Sequence, residues 1–113
     1  MIIVSESISL SKLKKMAEER FGILVKAVID VEKEIMAVDA ELHADQEALL
    51  LEKGSKQEDL WGINIYPEIP ESERIEFDSM INLRPSQGNR TRGVDNPAIR
   101  QKIIEIVNKL VTK

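Results

Sequence analysis

The chain has 113 residues, no cysteine and a net charge of −4, with 42% hydrophobic and 32% charged residues. That length fits one domain, 1–113, built on a modest core, and the acidic balance argues against a general nucleic-acid coat. The absence of cysteine excludes disulfides, thiolate metal sites and cysteine nucleophiles. The opening MIIVSESISL lacks the basic start and apolar core of a signal peptide. No apolar run nears the roughly 18 residues needed to span a membrane. A cytoplasmic protein free of the membrane is expected. Abundant Glu, Lys and Ile add a compositional hint of a thermophile.

In chain order, Met1–Val4 reads as a short strand. Ser9 is a good N-cap for a helix over residues 10–20, where Leu10, Leu13, Met16 and Ala17 recur at helical spacing. Gly22 is its natural stop. Residues 23–31 alternate, with Val25, Ala27, Ile29 and Val31 on one side, and predict a strand with one wet face. Residues 34–40 are read as a second strand, although helical charges through VEKEIM leave a helix open. Residues 41–52 contain ADQEALLLE, helical by propensity but flanked by alternating segments and closed by Gly54–Ser55; they are read as a strand. LWGINIY, 60–66, is a strand ended by Pro67 and Pro70. Residues 74–83, RIEFDSMINL, alternate and predict another. Asn96 and Pro97 then open a final helix with Ile99, Ile103, Ile106, Val107 and Leu110 on one stripe. The order β-α-β-β-β-β-α predicts an α+β two-layer sandwich: a mostly antiparallel sheet with two helices packed on one face.

Three stretches can carry chemistry. The first is INLRPSQGNRTRGVDNP, residues 81–97, with half of the chain's six arginines and no acid before Asp95. Arg84, Gln87, Asn89 and Arg90 offer donors just before a helix start, a combination suited to anions. It matches neither a P-loop nor GxGxxG. The plain alternative is a loop rigidified by arginine–acid pairs. The second is Glu41-Leu42-His43-Ala44-Asp45. If extended, it sets Glu41, His43 and Asp45 on one face, where the only histidine can act as general acid or base with an orienting carboxylate. A mixed His/carboxylate metal site and an ordinary polar turn are the other readings, and no metal or other cofactor is assigned. The third is QEDLWGIN. The only tryptophan, Trp61, is a core anchor or a stacking platform, with Glu58 and Asp59 beside it as site acids or arginine partners. Asn64 and Asn82 lie in predicted strands and can share one polar spot.

The segments HADQEALLLEKGSKQEDLWGINIYP and IEFDSMINLRPSQGNR, followed by DNPAIR, resemble the signature of an uncharacterised family of small prokaryotic proteins, a domain of unknown function. The likeness runs from about Val25 to the last helix, and HAD, GSKQEDLWG and INLRPSQGNR occur in order. It implies that His43, Asp45, Glu58, Asp59, Trp61, Asn82, Arg84, Asn89 and Arg90 belong to the family's motifs, and it implies no activity. Thr91 stands where the family usually has serine.

Three functions follow as expectations. The leading one is a binding protein for an anionic ligand (a nucleotide, a phosphorylated metabolite or a short RNA) at the arginine loop. The second is a phosphodiester hydrolase with His43 as acid–base group, Asp45 or Glu41 orienting it, and Arg84 and Arg90 as the charge clamp. The third is a structural or homodimeric module using a sheet edge or face.

Overall fold

The computed structural model describes all residues, Met1–Lys113. Three strands and a helix open the fold: β1 (Ile2–Val4), β2 (Ile8–Ser9), α1 (Leu10–Arg20) and β3 (Val25–Asp30). Then come β4 (Ile35–Val38), α2 (His43–Glu52), β5 (Leu60–Ile65), β6 (Ile75–Glu76), α3 (Pro97–Leu110) and β7 (Val111–Thr112). Single 3₁₀ turns cover Gln57–Asp59, Met80–Asn82 and Pro85–Gln87.

The class is α+β, as expected. The main sheet has the order β1-β4-β3-β5-β6, every pair antiparallel. A separate parallel pair, β2 with β7, ties the start of α1 to the end of α3. The helix limits follow their signals. Ser9 Oγ accepts the Lys12 N–H at the start of α1, and Asn96 Oδ1 accepts that of Ala98 at the start of α3. Gly22, at φ +93°, turns the chain out of α1.

On one face of the sheet, Leu13 and Met16 of α1 and Ile103, Ile106 and Leu110 of α3 pack on Ala27, Ile29, Ile63 and Trp61. This is the expected two-helix layer.

Three expectations fail locally. Residues 43–52 form a helix, not a strand, and α2 lies on the opposite face, where Leu50 meets Val28, Ala37 and Leu60. The sheet is therefore covered on both sides, and Val28 is not left exposed. The buried stripe of α2 is His43, Gln46 and Leu50. That spacing is helical, but two of its three members are polar, so apolar periodicity hides it. The expected strand at 74–83 pairs only at Ile75–Glu76. Beyond it the chain turns inward, burying Ser79 and Asn82. Outside those expectations, β2 and β7 are two-residue strands too short to leave a pattern.

Candidate binding cleft

The site begins with the edge of β5. One side of β5 pairs with β3 along its whole length. The other side pairs with β6 only at Asn64 and Ile65. That leaves backbone groups at Leu60 and Gly62 needing partners in a buried setting. Side chains from the motif loop supply them. Asn82, 0% exposed, accepts the Gly62 N–H at 2.8 Å through Oδ1. Its Nδ2 donates to Gly62 O at 2.9 Å and to Arg92 O at 2.9 Å. One amide thus stands in for a neighbouring strand. Gly62 is required here, since a Cβ would lie 2.6 Å from Ser79 Cβ and 3.2 Å from His43 Cδ2.

Arg84 completes the edge. Its two terminal nitrogens donate to Gln57 O and Leu60 O, each at 2.6 Å. Its guanidinium carbon sits 4.1 Å from the centre of the Trp61 ring. Burial pushes the Arg84 pKa down, partly opposed by the charge of Glu47, and the group stays charged at neutral pH.

The loop after Arg84 folds around Asn89. Backbone bonds join Arg84 and Asn89 in both directions, 2.9 and 3.1 Å. Asn89 Nδ2 donates toward the carbonyls of Asn82, Thr91 and Gly93, and Asn89 Oδ1 accepts the Asp95 N–H. Asp95 accepts the Arg90 N–H and the Thr91 hydroxyl, and the Thr91 bond is the main cause of its lowered pKa. Arg92 pairs with Asp78 at 2.8 Å. Much of the motif is therefore consumed in holding the loop. The Arg90 guanidinium is exposed and has no carboxylate within 4.0 Å.

A cleft of about 480 Å³ lies between this loop and the start of α3. Glu58, Trp61, Gln87, Asn89, Asp95 and Asn96 are among its walls. Trp61 is 3% exposed, and its indole N–H has no acceptor. Arg84 Nε, in the side chain stacked on that ring, is a second buried donor without one. The N-terminal turn of α3 adds its partial positive charge.

The other predicted residues lie elsewhere. His43 is buried at the first position of α2, with Nε2 2.7 Å from Ile63 O. A carbonyl only accepts, so Nε2 carries the proton and donates. Burial is the main reason its pKa is lowered, which keeps the ring neutral. Because residues 43–52 are helical, Glu41, His43 and Asp45 do not form the expected row. Glu41 reaches Arg20 at 3.7 Å, and Glu41 and Asp45 border a different groove with Arg20 and Asp39. Asp59 is outside the cleft, and burial with the neighbouring charges of Asp30 and Glu58 raises its pKa. No three His, Asp or Glu side chains converge as a metal would need.

A family model described as "Protein of unknown function (DUF5674)" matches residues 2–110. The chain belongs to the DUF5674 family. No curated protein and no solved structure matches it. For this DUF5674 member, Trp61, Glu58, Gln87 and Asn89 converge on one cleft. Asn82 and Arg84 support it from behind, while His43, Glu41 and Asp45 do not line it. Of the cleft wall formed by Asp95 and Asn96, the sequence showed Asp95 as the acid that ends the arginine run and Asn96 as the cap of the helix start expected to favour an anion. The burial of Ser79 and Gln46 had no signal beyond their polarity.

Proposed function

We propose that this protein is a small-molecule binding protein whose ligand presents an anionic oxygen to the Trp61 cleft. The observation that carries the reading is the cleft itself, whose wall joins Trp61 and the Gln87 and Asn96 amides to the start of α3. Gln87 and the Asn96 amide add donors, and the free Arg90 guanidinium supplies long-range attraction. Arg84 acts behind the wall, fixing the indole, because its terminal nitrogens already serve Gln57 and Leu60. The carboxylate of Asp95 is occupied by Arg90 N–H and Thr91, which leaves Glu58 as the acid facing a ligand.

The volume favours a nucleotide or phosphorylated metabolite over an RNA strand, since small-molecule sites run to roughly 300–1,000 Å³. A cysteine-free chain in which no helix is long and apolar enough to cross a membrane suits a cytoplasmic role. The hydrolase reading has less support. Its proposed acid–base group is occupied by the Ile63 carbonyl and is not among the residues lining the cleft.

Trp61 is the only tryptophan, so its fluorescence reports on the cleft directly. Titration with AMP, inorganic phosphate and a short RNA at low salt is the test. Saturable change with AMP or phosphate, weakening as salt rises, supports the proposal. No change with any of the three at millimolar concentration rejects it.

A further inference from the structure

Away from the motif loop, Lys14 lines two separate cavities. The first, about 240 Å³, is walled by Ala17, Ile23, Tyr66, Pro67 and Ile69. Ile23 is 68% exposed and Ile69 37%, which is apolar surface with nothing over it. The second, about 580 Å³, is bordered by Lys14, Arg74 and Lys113 with the hydroxyl residues Ser11 and Thr112.

These three cations come from three separate parts of the chain, and none has a carboxylate within 4.0 Å. Arg74 is held in place from behind. Its Nε donates to Ile69 O at 3.2 Å, and its carbonyl accepts the Tyr66 N–H at 2.8 Å. The loop 66–74 is thereby closed with the terminal guanidinium nitrogens left over. The acids are distributed unevenly. Glu18 and Glu68 border the apolar cavity, whereas Glu71 is the one acid on the basic groove.

We propose that these two cavities on either side of Lys14 together bind an amphipathic anion, its apolar chain beside Ile23 and Ile69 and its carboxylate or phosphate against Lys14 and Arg74. Burying apolar surface drives the first contact. The cations give the second, and the acids at the apolar end disfavour the reversed orientation. Neither cavity depends on the Trp61 cleft, and no residue is shared with it.

The test is a ¹⁵N-resolved NMR titration of the full chain with octanoate and, separately, octyl phosphate. Acetate and 1-octanol serve as single-property controls. Either amphiphile should shift the amides of Lys14, Ile23, Ile69 and Arg74, and whichever binds more tightly identifies the head group. Both controls should bind more weakly. Lys14→Glu and Arg74→Glu should each lower affinity about fivefold, the upper end for one exposed charge pair. Lys14→Gln, with an unchanged melting temperature, guards against a folding effect and should weaken binding less. The proposal is overturned if octanol binds as well as octanoate, if acetate does, or if the shifts fall on the Trp61 cleft instead. Unchanged affinity in both charge-reversal variants also overturns it.

Discussion

Replacing Asn82 with alanine attacks the device that closes the sheet edge. The substitution removes hydrogen bonds to Gly62 N–H, Gly62 O and Arg92 O, and Asn82 is 0% exposed, so water does not replace them freely. Each buried group left unpaired costs about 1–3 kcal/mol. Some relaxation toward solvent reduces the sum, and a loss of about 3–5 kcal/mol is expected. That is a large share of the roughly 5–15 kcal/mol that holds a domain of this size. Urea denaturation should show a lower midpoint with an unchanged slope. Asn82→Asp sharpens the case. Its carboxylate still accepts from Gly62 N–H but cannot donate to the two carbonyls. Burial raises its folded pKa above the unfolded value, so the deficit should shrink at low pH and grow as pH rises. A loss below about 1 kcal/mol for Asn82→Ala, within the range of an ordinary exposed change, refutes the reasoning.

Three further substitutions or titrations probe the same scaffold. Gly62→Ala should destabilise by about 1–3 kcal/mol through overpacking against Ser79; Ser79→Gly should recover part of it, and additive losses in urea melts would argue against that contact. Arg84→Lys should lose about 2 kcal/mol and shift Trp61 emission to the red, because an ammonium cannot stack on the ring while bridging two carbonyls; unchanged emission would argue against the positioning role. The His43 ring should titrate by NMR below the range of free histidine. A depressed pKa means the unfolded chain binds the proton more readily. His43 therefore supports stability above the unfolded pKa and loses that support as pH falls through the folded one. A midpoint at or above that of free histidine contradicts the assignment.

Much of the fold was legible from apolar spacing and caps. Leu10–Arg20 and the Asn96–Pro97 start of α3 match their signals, because those helices bury continuous apolar stripes. The strands at Val25–Asp30 and Leu60–Ile65 were legible for the same reason. α2 was not, because His43 and Gln46 are buried by hydrogen bonds to distant carbonyls, Ile63 O and Lys26 O. Burial of that kind depends on tertiary partners that no local period encodes. The candidate site divides the same way. Glu58, Trp61, Gln87 and Asn89, from two separate motifs, line one cleft. The direction of each side chain was hidden. A buried arginine serving backbone carbonyls and an exposed one without a carboxylate partner look alike in sequence, yet Arg84 is the first and Arg90 the second. Alternation at Arg74–Leu83 also misled, since Asn82 replaces a strand with its own amide.

The central claim is that the Trp61 cleft holds a ligand oxygen. The chain has one indole, so one Nε1–H resonance reports on it. On titration with AMP or inorganic phosphate that resonance should shift and saturate, because the ring forms part of the cleft wall. If the ligand binds elsewhere, or does not bind, the resonance will stay in place at saturating concentration, and the cleft will be contradicted as the site.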